Sequence, residues 1–286
     1  MDKKMPSESE AFITRHSVSG KGSEYEGLSP EGVEKARERA KELAALIEQA
    51  EKGSVVFFGG NTYESRTSST LQAYFDELKE ILSQNPDILM FDQGQVQEEA
   101  REGYLKAAKS LQDQADTSPD SKVVIELPLK LKDFNKKEWF YGPDGNMIPE
   151  WDALLSKHGK DYGSAIKEWF SRVENGDKAL LDPTEIAESY LKGIARLENF
   201  VKKFSGDRKV KIVVVGHSFL IDAFLTYLSN NGKVTPEAFD KLEGVIDTTE
   251  LSILEPDSEG NLHLEYRGNE YVFKKDSSKG LLKENN

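Results

Sequence analysis

Apolar positions along the chain fall into two alternating rhythms, short continuous runs and longer stretches with apolar residues three or four apart. Residues 12–14 form a short apolar run that meets Arg15-His16 and then the Gly/Ser-rich stretch SVSGKGSEYEG. That pattern predicts a strand feeding a loop. Ser29-Pro30 has the form of a helix start, Ser as N-cap and Pro at the first helical position. Val33, Ala36, Ala40, Leu43 and Ile47 then recur at helical spacing, to an end near Gly53. Val55-Val56-Phe57-Phe58 predicts a second strand, Gly59-Gly60-Asn61 its loop, and Leu71, Phe75 and Leu78 the following helix. VKIVVV at 210–215 predicts a buried strand, broken by Gly216 and followed by an apolar helical segment over 219–228. Strand and helix in alternation predict an α/β fold, three layers α/β/α around a mostly parallel sheet.

Weaker strand patterns lie at 88–91, 123–127, 251–254 and 262–266, the last two joined by EPDSEGN as an edge hairpin. Between about 104 and 185 the βα rhythm is lost, and all three tryptophans, Trp139, Trp151 and Trp169, fall there. This stretch reads as an inserted cap region with a small aromatic core. The expected plan is a disordered segment over 1–10, a single domain over 11–273 containing that insertion, and a flexible tail over 274–286.

A chain of 286 residues with 37% hydrophobic composition can bury a substantial core. It has no cysteine, so disulfides, thiolate nucleophiles and Cys-based metal sites are excluded. The opening MDKKMPSESE has no apolar core of a signal peptide, and no stretch has the roughly 18 apolar residues of a membrane span. A soluble, cytoplasmic protein is expected. The net charge of −13 opposes nucleic-acid and anionic-membrane partners, and an anionic substrate needs a locally positive pocket. Oligomeric state is unconstrained.

Three features fall at the C-terminal ends of predicted strands: Arg15-His16, the loop carrying Arg66, and Gly216-His217-Ser218. Strand ends form the ligand crevice of an open α/β sheet, so these distant residues can converge there. Two imidazoles and two guanidiniums suit phosphoryl transfer. A neutral imidazole attacks phosphorus and becomes phosphohistidine, while guanidinium forks match phosphate oxygens and follow charge into the transition state. The helix after Ser218 also aims free N–H groups at an anion.

Other chemistries fit less well. His158 and His263 have no partner at metal-ligand spacing, and neither HExxH nor a Cys/His cluster occurs, so no metal and no cofactor is expected. Gly20-Lys21-Gly22 is too short for a P-loop. Ser218 sits where a serine hydrolase places its nucleophile, but that elbow needs GxSxG and position 220 is Leu. Lys130, Lys132, Lys136 and Lys137 read as a solvated cationic stretch rather than as contacts to extra substrate charge.

At the residues singled out above, the sequence resembles the histidine phosphatase superfamily, the phosphoglycerate-mutase-like proteins of branch 1. ITRHSVSG at 13–20 is similar to its opening Arg-His segment, LSPEGVEKARERAKEL to the helix start that follows, YESRTSST at 63–70 to its second motif, and VVVGHSFLIDAFL from 213 to its third. The likeness covers roughly 11–80 and 185–266. It implies a phosphoglycerate-mutase-like fold, His16 as nucleophile, and Arg15, Arg66 and His217 as phosphate ligands, with Ser19 as an added contact. It also implies a glutamate proton donor in a Glu-x-x-x-Gly setting. Glu99 fits that spacing before Gly103, with Glu98 and Glu102 as rivals. The substrate implied is a phosphorylated small molecule or a phosphoprotein. Phosphatase is favoured over mutase, and a phosphate-binding pseudoenzyme is the alternative, because Ser17 replaces the glycine that often follows the Arg-His pair. The Ser17 Cβ is expected to crowd the backbone approach to phosphate.

Overall fold

The structure, a computed structural model, describes residues 9–61, 64–92, 110, 113–114, 116–130 and 132–274. Glu98, Glu99 and Glu102 lie outside these residues, as do the first eight positions and the tail from 275 onward.

Eight strands form one sheet: β1 (Ser9–Arg15), β2 (Val55–Asn61), β3 (Ile88–Phe91), β4 (Lys122–Lys130), β5 (Val210–Gly216), β6 (Leu251–Pro256), β7 (Leu262–Tyr266) and β8 (Asn269–Phe273). Their order is β3-β4-β2-β5-β1-β6-β7-β8. The run from β3 to β1 is parallel, and β6, β7 and β8 continue it antiparallel. The fold is therefore α/β with a mostly parallel sheet. Among the described residues the helices are α1 (Pro30–Gln49), α2 (Ser65–Leu82), α3 (Pro149–His158), α4 (Tyr162–Glu174), α5 (Pro183–Ser205), α6 (Ser218–Ser229) and α7 (Pro236–Lys241).

The two-residue period of each strand divides the core into two layers. Phe12, Val56, Phe58, Val213 and Val215 pack with Val33, Ala36, Ala40 and Leu43 of α1 and Leu71, Phe75 and Leu78 of α2. Ile13, Val55, Phe57, Ile212 and Val214 face the other way, towards Ile186, Tyr190 and Leu197 of α5 and Ile221 and Phe224 of α6. Ser29 caps α1 by accepting from the Gly32 N–H at 3.0 Å, with Pro30 in the first turn, as the sequence predicts.

The weak pattern at 123–127 becomes β4, an interior strand between β2 and β3. Its apolar residues serve both layers, Val123 and Ile125 on one face and Val124 on the other, which is why it reads as a continuous run. The expected hairpin forms as β6 and β7. Strand β8 is not foreseen by the pattern. It follows a two-residue turn at Arg267-Gly268 in which both residues have positive φ, 51° and 70°. That is the twist-matched turn of a tight hairpin, here with Arg in place of the usual Asn or Asp.

The stretch expected as an insertion, about 104–185, thus contains the interior strand β4; the part after it, called the cap, has a 3-10 turn at Lys137–Trp139, then α3 and α4. Trp151 and Trp169 are 1% and 0% exposed, and the Trp169 Nε1–H donates to the Leu181 carbonyl at 2.8 Å. Phe219 of α6 lies 5.9 Å from the Trp151 ring and 6.1 Å from the Trp169 ring. The aromatic core thus docks the cap beside the turn that carries His217.

Candidate active site

Register alone brings two of the motifs together. β1 and β5 are adjacent and parallel with Arg15 paired to Gly216, so Arg15-His16 and His217-Ser218 leave the sheet side by side. The His16 N–H donates to the Gly216 carbonyl at 3.0 Å and fixes the exit. A Cβ at Gly216 would stand 2.2 Å from the Tyr190 hydroxyl, so a side chain there would force β5 and α5 apart. Arg66 enters from the first turn of α2.

The two imidazoles meet edge to face, 5.0 Å between centroids. His16 is buried, and its Nδ1 lies 2.7 Å from the Ser17 carbonyl. A carbonyl only accepts, so Nδ1 carries the proton and Nε2 keeps its lone pair. Burial, helped by the Arg66 and Arg15 charges, lowers the His16 pKa to about 3. His217 is pushed well below its ordinary value by burial first, then by His16, Arg66 and Arg15. These mutual influences place all four groups in one electrostatic neighbourhood. Both rings are neutral at physiological pH, which a nucleophilic imidazole requires.

Arg15 is held by a donated bond from Nη1 to the Ile246 carbonyl at 2.9 Å. Its Nε, like Arg66 Nε, is buried with no hydrogen-bond partner among the described residues. Burial lowers the Arg15 pKa, while Asp222, Tyr162 and Asp247 act to raise it and Arg66 to lower it. Ile246 is fixed in turn by its N–H donating to Asp222 Oδ1 at 2.8 Å. The sequence gives no sign of this link through Ile246, because the loop before β6 has no periodicity. Glu64, also missed, sits just before α2 with Oε2 2.5 Å from Arg66 Nη2 and Oε1 3.7 Å from His217 Nε2.

The structure therefore brings together Arg15, His16, Arg66 and His217. Ser19 is exposed and its backbone bridges to Leu28. The expected crowding by Ser17 takes a different form. Ser17 is fully buried, its hydroxyl donates to the Gly32 carbonyl at 2.6 Å, and its N–H donates to Thr70 Oγ1 at 3.0 Å. Its Cβ is part of a clasp between β1, α1 and α2. His158 and His263 pair with Glu168 and Asp257, at 2.7 and 3.2 Å, away from the four. Among the described residues, no group of three or more His, Cys, Asp or Glu side chains is arranged to hold a metal ion, and no helix is long and apolar enough to cross a membrane.

The family model that matches this chain spans residues 150–267, the part that carries His217 and the β5–α6 turn. It is that of the histidine phosphatase superfamily (branch 1). Solved structures with this likeness include a mycobacterial glucosyl-3-phosphoglycerate phosphatase, 12% identical with a TM-score of 0.43, covering 95% of this chain and 100% of that one. A phosphoglycerate mutase from Plasmodium falciparum is 11% identical with a TM-score of 0.35, covering 95% and 98%. A Klebsiella phytase is 12% identical with a TM-score of 0.34, covering 90% and 82%. A sequence search of curated proteins finds no match. The Arg15-His16 and Arg66 segments lie before the matched span.

Proposed function

We propose that the protein is a phosphomonoester hydrolase that receives the phosphoryl group on His16 Nε2. The observation that carries this reading is the His16 Nδ1 bond to the Ser17 carbonyl at 2.7 Å, which leaves a neutral, lone-pair-bearing Nε2 on a ring that shares its electrostatic neighbourhood with Arg15, Arg66 and His217. The two guanidiniums bind the phosphoryl oxygens and hold them as charge spreads in the transition state. His217 donates a hydrogen bond to an equatorial oxygen. Water then attacks phosphohistidine, releases phosphate and restores the imidazole.

The substrate is a phosphorylated small molecule or a phosphoprotein. Spacing offers Glu99 for the proton donor to the leaving group, with Glu98 and Glu102 as rivals, and all three lie outside the described residues.

Hydrolysis of a small activated aryl phosphate by the purified protein tests this reading. Turnover that disappears in His16→Ala supports it. A rate equal to the His16→Ala control leaves a phosphate-binding protein without turnover.

A further inference from the structure

Glu64 occupies the N-cap position of α2, with φ −87° and ψ 138°, yet its carboxylate makes no capping bond. The helix start is closed instead through its backbone carbonyl, which accepts from the Thr67 N–H at 3.2 Å and the Thr67 hydroxyl at 2.7 Å. The side chain turns to the pocket, 2.5 Å from Arg66 and 3.7 Å from His217, and is 46% exposed. An anionic carboxylate thus already holds contacts that a phosphoryl group would claim. Two other acids influence Arg15 but are placed differently. Asp222 is completely buried with Oδ1 engaged by the Ile246 N–H, and Asp247 precedes β6, its N–H bonded to Glu250.

We propose that Glu64 is the acid that protonates the departing oxygen and then the base that activates water, in place of Glu99. The inference rests on the histidine-phosphatase reading above. Arg66 cannot serve a carboxylate and a phosphoryl group with the same N–H groups, so substrate displaces Glu64 from its ion pair. Arg66 from α2 and His217 from the β5–α6 turn face Glu64, and Arg15 and His16 lie in the same cluster. The two rings are neutral, and the arriving phosphoryl anion offsets the two guanidiniums.

Position supplies the second half of the argument. His16 is 6% exposed, and in-line displacement sends the leaving oxygen away from it. The displaced Glu64 carboxyl, half-exposed beside Arg66 and His217 in the free protein, is the acid assigned to that side. The P–Nε2 bond forms as the P–O ester bond breaks, and the Glu64 carboxyl proton passes to the ester oxygen, which leaves as a neutral alcohol. In the second step Glu64 takes a proton from water as its oxygen attacks phosphorus, the P–N bond breaks, and Nε2 regains its lone pair.

A leaving-group series tests this. Wild type, Glu64→Gln, Glu99→Gln and His16→Ala are assayed with esters from 4-nitrophenyl phosphate, whose phenolate needs no proton, to a simple alkyl phosphate. The expected result is that Glu64→Gln slows the alkyl ester by about 100-fold or more and the nitrophenyl ester only a few-fold. Vanadate is expected to bind this variant at least as tightly as wild type, since a competing carboxylate is gone; that also certifies the fold. Equal slowing of all esters overturns the assignment, as does a leaving-group effect that appears in Glu99→Gln instead, and either leaves the parent reading standing. Undiminished turnover of both esters by His16→Ala overturns the parent reading itself.

Discussion

The Nδ1–H of His16 donates to the carbonyl of Ser17 at 2.7 Å, and this one bond decides which ring nitrogen can attack. Phosphate trapped on the enzyme is therefore expected on Nε2. Phosphorus NMR of the quenched protein distinguishes the two isomers, and a signal from the Nδ1 isomer would contradict the orientation.

The low pKa of His16, about 3 against an ordinary 6.5, bears on activity and on stability. Once corrected for ionisation of the substrate, the acid limb of kcat/KM is expected to show no inflection near the ordinary histidine value, because the free enzyme keeps its nucleophile neutral far below it. For stability, the unfolded chain binds protons that the folded chain refuses. The contribution of His16 is fully present above about pH 6.5 and is lost as pH falls towards 3. His217, lowered in the same direction, adds to it. Urea midpoints of wild type should fall more steeply from neutral pH to about pH 4 than those of a His16→Gln/His217→Gln double variant; parallel slopes would show that neither ring is held neutral by the fold.

Ser17 is expected to act as a clasp. Ser17→Gly removes the 2.6 Å bond to the Gly32 carbonyl and loosens the backbone, at a cost of about 1 to 2 kcal/mol in denaturant unfolding. No gain in kcat/KM should accompany it. A more active Ser17→Gly enzyme would mean that the Cβ does crowd the phosphate.

Asp222 reaches Arg15 through one backbone segment, Asp222 to the Ile246 N–H and the Ile246 carbonyl to Arg15. Burial pushes the Asp222 carboxyl well up, and Asn keeps an oxygen that can accept from the Ile246 N–H. Asp222→Asn should keep both stability and vanadate affinity. Asp222→Leu strands a buried N–H, costs about 1 to 3 kcal/mol, and should weaken vanadate binding by freeing Arg15. Equal vanadate affinity in both variants would break the proposed link.

The cap is expected to stand on its tryptophans. Trp169→Ala empties a fully buried site and removes the bond to Leu181, a loss of about 3 to 5 kcal/mol. An unchanged unfolding midpoint would contradict a packed role.

The parts legible in the sequence share one property: their pattern is local. The runs at 55–58 and 210–215 and the helix starting at Ser29-Pro30 declare themselves because both neighbours of each residue obey the same period. Arg15, His16, Arg66 and His217 are legible because each adjoins such an element. Glu64 is not, although it stands two residues before Arg66, since an acidic residue at a helix start is ordinarily a cap; only the side-chain direction reveals otherwise. The Ile246 carbonyl is a backbone atom in an aperiodic loop, and any residue type could supply it. Strand β8 was hidden by a turn whose first residue is Arg267, a side chain seldom found at positive φ.

The most direct measurement for the whole account is intact-protein mass after a millisecond quench in alkali with an aryl phosphate. The account predicts a gain of one phosphoryl group in wild type, stable in base, lost in acid, and absent in His16→Ala. A phosphoryl group that persists in His16→Ala, or full hydrolysis by that variant, would contradict it.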